Sequence, residues 1–333
     1  MKGFDERFAD FPDYIIGITR QIWEERELAS LHRFYARDIV VRSPEAVITG
    51  NQGVIAATMA TLAEFPDREL LGEDVIWCGD PSQGMLSSHR ILSRASHLGS
   101  GVYGDATGKK IEYRIIADCH ALNNCIDDEW LIRDQSAIVR QLGLTPEEFA
   151  RRTILRERET GRSQPPLNEK NDIEGPYRKK GNDNEWGARL ADILTRIMGA
   201  DFSAIPKEYD RACELAYPGG VLARSHDGAD RFWMGLRASF PAATFEIHHV
   251  IGLEEASMPA RAAVRWSLSG GHDGWGGFGA PTGAEVYILG ITHAEFKAVG
   301  SQPRLRREWT LIDETAIWKQ ILLSTGVGLE ATG

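Results

Sequence analysis

The sequence predicts an α+β fold made of two tandem units, each with helices first and a curled antiparallel sheet after them. Three observations support this prediction: an internal repeat, the same order of helix-like and strand-like segments in both copies, and glycine-rich turns between strands. The chain has 333 residues. This length is more typical of two domains than of one.

The internal repeat is visible at two nearly constant offsets. At an offset of 175 positions, Phe65-Pro66 aligns with Phe240-Pro241, and many single residues align with them. At an offset of 179, "EWLIRDQSAIVRQ" (129–141) aligns with "EWTLIDETAIWKQ" (308–320). Chance does not produce so many identities in register, so the chain is a tandem duplication.

Each copy has the same order of elements. An amphipathic helix comes first, "YIIGITRQIWEE" in one copy and "ARLADILTRIMG" in the other. A second helix ends at Phe-Pro, where proline stops it. Strand-like runs follow in both copies, at 69–78, 86–97, 110–122 and 128–134 and at 243–252, 261–272, 284–297 and 306–313. Helices followed by consecutive strands indicate helices that cover an antiparallel sheet.

The repeat also predicts the domain limits. The segment "TPEEFARRTILRERETG" reads as a helix capped by Thr145, and a polar, proline-containing stretch follows it. We therefore expect a first domain at 1–150, a helical and polar linker at 151–182, and a second domain at 183–327.

Composition excludes several classes of function. The formal net charge of −10 argues against a nucleic-acid partner, because phosphate contacts need a basic patch. No apolar run approaches the ~20 residues that span a bilayer, and the N-terminus has no apolar signal core. The four cysteines have neither metal-type spacing nor disulfide density. We expect a cytoplasmic protein that acts on a small molecule.

The glycine-rich stretch "GGHDGWGGFGAPTGAEV" (270–286) raises the question of a phosphate-binding loop. Such a loop needs a helix after its glycines, and a β-type run follows here instead. The pattern favours a hairpin in which glycines permit bulges and a sharp turn.

Asp134 and Asp313 occupy the same place in the two copies, and their role stays open between two interpretations. On a strand, Trp130, Ile132 and Asp134 share one face, where burial could raise the pKa of the carboxyl for acid/base work. Each Asp also precedes a helix-like segment in an Asp-x-[Ser/Thr] pattern that is typical of a helix cap.

The histidines give weaker signals. His97 and His272 stand at equivalent places before the turn, where each either orients a substrate carbonyl or hydrogen-bonds the turn itself. His89, His120 and His293 are not shared between the copies, and packing or local hydrogen bonding explains each of them more simply. No His-x-His pattern supports a metal site.

Taken together, these residues resemble the SnoaL-like polyketide cyclase family, which has the cone fold of nuclear transport factor 2. The family pattern is a His, a Gly two residues later, and a Thr-Gly ten and eleven residues after the His. It is matched by His97, Gly99, Thr107 and Gly108, and by His272, Gly274, Thr282 and Gly283. The next element is a Trp-x-x-x-Asp strand end, matched by Trp130 to Asp134 and by Trp309 to Asp313.

The resemblance implies two cones, each with an apolar pocket, that pair within the chain; pairing of two chains into a homodimer is a further expectation. It implies that Asp134 or Asp313 acts as general acid/base, that His97 or His272 supports the carbonyl, and that no metal or organic cofactor takes part. Trp130, Trp309, His89, His120, Trp275 and His293 are the candidates for substrate contact. Cyclisation, isomerisation and hydrolysis all fit, and the alternative is a protein of the same fold that only binds a ligand or a subunit.

Overall fold

The computed structural model describes residues 1–299 and 302–326. It contains two six-stranded sheets, one in each half of the chain, with helices packed on each. The predicted α+β architecture in two tandem units is therefore confirmed. The end of the second predicted domain, residue 327, lies outside the described residues.

The first half begins with α1 at Phe11–Thr19, which continues into a π-helical turn at Arg20–Glu24. Its remaining elements are α2 Leu31–Phe34, β1 Tyr35–Ser43, β2 Ala46–Thr49, α3 Asn51–Glu64, β3 Glu69–Asp80, β4 Gly84–Ser96, β5 Lys110–Leu122, β6 Cys125–Arg133, α4 Gln135–Leu142 and α5 Pro146–Thr160. The predicted boundary at residue 150 falls inside α5. The division into domains stays a prediction from the sequence.

The second half repeats this series. Its elements are α6 Glu185–Met198, α7 Ala204–Glu208, β7 Tyr209–Tyr217, β8 Val221–Arg224, α8 Ser225–Ser239, β9 Thr244–Leu253, β10 Ala260–Gly271, β11 Glu285–Val299, β12 Gln302–Leu311 and α9 Glu314–Thr325. The eight strands predicted from the sequence are all present, and β10 pairs with β11 as the predicted hairpin. The sequence did not predict β1, β2, β7 and β8, which lie between α2 and α3 in the first half and between α7 and α8 in the second.

The two sheets have the same strand order, β2-β1-β6-β5-β4-β3 and β8-β7-β12-β11-β10-β9. They are mixed, which corrects the expectation of purely antiparallel sheets: β1 pairs with β6 in parallel, and β7 pairs with β12 in the same way. The cause is the helix α3, which carries the chain from β2 at one edge to β3 at the other. The run from β3 to β6 then returns beside β1 in the same direction as β1.

The interiors of the two halves differ. In the second half, one continuous cluster of buried apolar residues fills the space between helices and sheet, and Trp233, Trp266 and Phe240 belong to it. In the first half, the buried apolar residues fall into two clusters, one around Tyr14 and Phe34 and the other around Phe65, Ile138 and other residues. A cavity lies between them.

The outer faces of the two sheets pack against each other, so the halves form a pair within one chain. Apolar contacts join Ile116 and Ile132 of the first sheet to Ile291 and Leu311 of the second, and Leu167 from the connecting segment completes the cluster. Association of two whole chains stays a prediction.

Polar groups also lie in this interface. The hydroxyl of Ser88 donates to the carboxylate of Asp118 at 2.6 Å, and it lies 2.7 Å from Nε2 of His293 in the other half. All three side chains are buried. Within the described residues, no helix has the length and apolar character needed to cross a membrane.

Candidate functional site

The cavity of the first half has a volume of about 230 Å³ and lies between the inner face of the sheet and α1 and α3. Apolar side chains from α1, β4 and β5 form much of its wall, among them Ile15, Ile18, Ile91 and Ile115. Polar and charged side chains complete the lining, among them Tyr35, Glu45, Glu129, His89, Arg68 and Arg133. A cavity in which polar groups converge on an apolar wall is the usual form of a small-molecule site.

Glu129 is the carboxyl group on the sheet wall of this cavity. Because side chains alternate along β6, Glu129, Leu131 and Arg133 all point inward, and all three line the cavity. The pKa of Glu129 is raised to about 7, chiefly by burial; the hydrogen bond to Tyr35 opposes the rise, and the charge of Asp128 adds to it. Its Oε2 atom has no hydrogen-bond partner among the described residues. A carboxyl group with a pKa near 7 can take up and release a proton at neutral pH.

His89 lies on β4 and is buried in the same wall. Burial lowers its pKa to about 3, and the neighbouring Arg90 contributes to the lowering. The imidazole is therefore neutral at pH 7, and its Nε2 has no partner within the described part of the chain. A neutral imidazole can hydrogen-bond a substrate oxygen without carrying charge into the cavity.

Asp313 reaches this cavity from the second half of the chain. It caps α9, since its Oδ1 accepts hydrogen bonds from the backbone N–H groups of Thr315 and Ala316 and from the Thr315 hydroxyl. Burial and the nearby Glu45 raise its pKa to about 8. Asp313 is therefore a helix cap, as one of the two interpretations has it, and it also lines the cavity; its acid/base role stays a prediction.

Asp134 has a different environment. Its Oδ1 accepts from Ser136 Oγ at 2.8 Å, from Ala137 N at 3.0 Å and from Gly219 N at 2.8 Å, and its Oδ2 accepts from Gly220 N at 3.0 Å. It therefore caps α4 and also ties the first half to the β7–β8 turn of the second. Asp134 lies outside the lining of the first cavity and borders a second one of about 360 Å³ between the halves. Its predicted acid/base role stays a prediction.

The two tryptophans lie on the outer faces of the sheets. The Trp130 ring packs between the guanidinium groups of Arg42, 4.5 Å from the ring centre, and Arg265, 3.4 Å away. Trp309 stacks in the same way on Arg90, at 3.5 Å. Both rings belong to the contact between the halves, and neither lines the first cavity. Trp309 borders the second cavity.

His97 and His272 organise the hairpin loops. Their Nδ1 atoms lie 3.1 and 3.0 Å from the hydroxyl groups of Thr107 and Thr282, ten residues further on in each copy. His97 also contacts Glu64, at 3.2 Å through Nε2. Both imidazoles are buried, and neither lines a described cavity.

The remaining predicted contact residues are spread over the molecule. His120 lies 2.6 Å from Asp127, through Nδ1, and His293 lies in the interface beside Ser88. Trp275 is 73% exposed in the β10–β11 loop. The structure thus brings His89 and Asp313 to the first cavity, together with Glu129, and places the other predicted site residues elsewhere.

The corresponding space in the second half is filled by two large side chains. Trp233 on α8 takes the place of Thr58 on α3, and Trp266 on β10 takes the place of Ile91 on β4. Gly290 lies opposite Trp266, and a Cβ atom there would approach the indole ring to 2.2 Å. The tryptophan fits only because this position has no side chain.

Sequence reasoning missed Glu129, Tyr35, Arg68 and Arg133. The internal repeat pointed to Glu129, because the dipeptide Glu-Trp occurs in both copies, at 129–130 and at 308–309. In the second half Glu308 accepts from the Tyr209 hydroxyl at 2.6 Å, which repeats the pairing of Glu129 with Tyr35.

Fold and cavity together define a tandem pair of α+β cones in which the first encloses a cavity. Residues 14–142 match the family described as SnoaL-like polyketide cyclase. This match confirms the resemblance for the first half, and the second half repeats the strand order of the first.

Solved structures similar to this chain include IdmH, a proposed polyketide cyclase from Streptomyces antibioticus, with 22% identity over 40% of this chain and 98% of that one, at a TM-score of 0.35. AclR, a proposed hydroxylase from Streptomyces galilaeus, has 15% identity over 40% and 98% of the two chains, at a TM-score of 0.35. A proposed SnoaL-like polyketide cyclase from Jannaschia sp. CCS1 has 15% identity over 42% and 96%, at a TM-score of 0.34. No curated protein matches the chain.

Proposed function

We propose that the first half is a cofactor-independent enzyme of the cyclase, isomerase or hydrolase type, which acts on a carbonyl compound held in its cavity. Glu129 is the general base. The observation that carries the proposal is a carboxyl group with a pKa near 7 and an unpartnered oxygen on the wall of an apolar cavity. Membership of the first half in a family of polyketide cyclases supports the same class of chemistry.

The reaction begins when the Glu129 carboxylate removes a proton from the carbon next to the carbonyl group. The C–H bond breaks, an O–H bond forms on Glu129, and the electron pair moves to the carbonyl oxygen to give an enolate. A hydrogen bond to that oxygen stabilises the developing negative charge and so lowers the barrier, as a donor in an oxyanion hole does. Return of the proton to another carbon completes an isomerisation. In a cyclisation the enolate carbon instead attacks a second carbonyl group, and the alkoxide that forms there takes the proton from Glu129, which regenerates the base.

Two groups are suited to donate the hydrogen bond to the enolate oxygen. His89 is a neutral imidazole on the same wall, and Asp313 has a pKa raised to about 8, so its carboxyl group is mostly protonated at pH 7. Tyr35 holds Glu129 through its hydrogen bond and limits how far burial can raise the pKa.

The second half has a supporting role in this proposal. Its interior is filled by Trp233 and Trp266, and Asp313 at the start of α9 completes the wall of the first cavity. A single active site per chain is therefore expected, with residues from both halves.

The proposal is tested by exchange of hydrogen for deuterium at carbons next to a carbonyl group. Bicyclic ketones such as 2-tetralone are incubated in D₂O with wild-type protein, and exchange is followed by proton NMR. We expect faster exchange than in buffer, and a loss of at least about tenfold in the double variant Ile91→Trp/Ile115→Gly, which copies the filled second half. Binding of ketones with no accelerated exchange on any of them would instead favour a protein that only binds a ligand.

A further inference from the structure

The cavity has a cationic end. Arg68 precedes β3 and Arg133 ends β6, and both line the cavity. Arg68 is only 8% exposed. The Nε atoms of both guanidinium groups have no hydrogen-bond partner among the described residues.

Arg68 also lacks a balancing negative charge. Within residues 1–299 and 302–326, no carboxylate lies within 4 Å of either guanidinium group, in contrast to Arg42 and Arg90, which have carboxylate partners. The neighbours of Arg68 are Tyr113, whose hydroxyl shares a hydrogen bond with it, and the second cation, Arg133. A buried charge without a partner destabilises a fold, and two like charges side by side add to that cost.

The two guanidinium groups affect the tyrosine between them. They lower the pKa of Tyr113 although burial alone would raise it. Arg68 and Arg133 thus favour an anion at this end of the cavity, while Glu45, which also lines the cavity, partly balances Arg133 and raises the pKa of its guanidinium group.

The second half provides an internal comparison. Its residues at the positions of Arg68 and Arg133 are Ala243 and Ile312, both buried. The half with a filled interior has neither cation, although it keeps the Tyr–Glu pair at Tyr209 and Glu308. The two arginines therefore occur in the half that has the cavity, and the fold does not require them.

We propose that Arg68 and Arg133 form a carboxylate-binding subsite, so that the substrate of this cavity is a carbonyl compound that also bears a carboxylate group. This inference rests on the proposed function, whose site it extends. Guanidinium groups bind carboxylates through paired, charge-assisted hydrogen bonds, and each unpartnered Nε offers one donor.

The subsite also sets the length of the substrate. Glu129 and Arg133 are four residues apart on one strand, which places their backbones about 13 Å apart. The substrate is thus held at its carboxylate end by the arginines while its reacting carbon lies near Glu129. Such two-point binding fixes the orientation of the acidic C–H bond.

The test compares a charged and a neutral probe of the same shape. Binding of 2-naphthoate, 2-naphthamide and inorganic phosphate at pH 7.5 is measured by calorimetry. We expect 2-naphthoate to bind at least about tenfold more tightly than the amide. Arg68→Met and Arg133→Met should each reduce this preference to less than about threefold, while Arg94→Met, which replaces an exposed arginine on β4, should preserve it.

The melting temperature separates a binding role from a structural one. Because Arg68→Met removes an unbalanced buried charge, the variant should melt at the same temperature as wild type or higher. A marked fall in melting temperature, equal binding of naphthoate and naphthamide, or phosphate binding as tight as naphthoate binding would each overturn the inference.

The binding test of the carboxylate subsite and the exchange test of the proposed reaction can fail independently of each other. If ketone exchange occurs but the probes bind equally, the carboxylate subsite is wrong and the proposed function stands. If naphthoate is preferred but no ketone exchanges, the cavity binds a carboxylate and the proposed chemistry is wrong.

Discussion

Glu129 and Glu308 occupy equivalent positions on the inner faces of the two sheets, and a tyrosine at the start of the neighbouring strand hydrogen-bonds each of them. Burial raises the pKa of both carboxyl groups to about 7. Their surroundings differ, because Oε2 of Glu129 is unpartnered beside a cavity, whereas Glu308 also accepts from Thr310 at 2.7 Å and from Tyr217 at 3.3 Å. The duplication thus supplies a matched control for the proposed active site.

The raised pKa of Glu308 predicts how stability depends on pH. The folded state binds this proton up to about pH 7, while the unfolded chain releases it near pH 4.5. The contribution of Glu308 to the free energy of unfolding is therefore greatest below pH 4.5, falls as the pH rises to about 7, and is flat above. Its size is at most about 3 kcal/mol.

Denaturant unfolding of Glu308→Gln and wild type at several pH values measures this effect. The variant should lose the part of the pH slope that lies between about 4.5 and 7. Glu112→Gln, which replaces an exposed carboxylate, is the control and should keep the slope. Parallel curves for wild type and Glu308→Gln would contradict a raised pKa at this position.

The rate of the reaction should rise with pH, whereas the stabilising contribution of Glu308 falls as the pH rises. A general base must be ionised, so kcat/KM should rise with pH and level off above about 7, where Glu129 is deprotonated. If Asp313 donates the hydrogen bond to the enolate, activity should fall again above about pH 8 and Asp313→Asn should remove this fall. A flat profile from pH 5 to 9 would contradict both assignments.

Asp134→Asn and Asp313→Asn should differ in stability. Asp134 uses both oxygens, and an amide nitrogen cannot accept the N–H group of Gly220, so we expect a loss of roughly 2 kcal/mol. The three hydrogen bonds of Asp313 all end on Oδ1, which asparagine retains, so this variant should be nearly as stable as wild type.

Turnover by the folded Asp134→Asn variant tests its predicted catalytic role. If Asp134 only caps α4 and joins the halves, turnover should stay within about threefold of wild type. A loss of about tenfold or more would support the acid/base role that the sequence suggested.

Trp233 and Thr58 test the difference between the two interiors. Trp233→Ala removes a fully buried indole from a continuous core and should lower the free energy of unfolding by about 3–5 kcal/mol. Thr58→Ala, at the equivalent position beside the cavity, should cost less than about 1 kcal/mol. Similar losses for the two variants would show that the first half is as tightly packed as the second.

The sequence was sufficient for most of the fold because every predicted strand, and every predicted helix outside the connecting segment, occurs in both copies. Alternation along β6 also placed Trp130 and Asp134 on one face and Glu129 and Arg133 on the other. It could not show which face borders the cavity, since both faces of each sheet are buried, one against helices and one against the other half. The sequence therefore led to Trp130 and Asp134, which lie in the interface, instead of Glu129.

The cavity itself depends on contacts between residues far apart in the chain. Thr58, Ile91 and Ile115 leave a space that Trp233 and Trp266 fill in the other half, where Gly290 replaces Ile115. Without the three-dimensional arrangement, a small residue that borders a cavity and a small residue that packs against a large neighbour look the same. Likewise, Asp313 faces the first cavity only because the two halves are packed together.

The most direct test of the account compares Glu129→Gln with Glu308→Gln in the deuterium-exchange assay on the same ketone. Both variants replace a buried glutamate that is paired with tyrosine, so the comparison is between folded variants with the same change of chemistry. We expect Glu129→Gln to slow exchange by about 100-fold or more, and Glu308→Gln to change it by less than about threefold. Equal effects of the two substitutions, or full exchange activity in folded Glu129→Gln, would contradict the assignment of Glu129 as the base in a single active site.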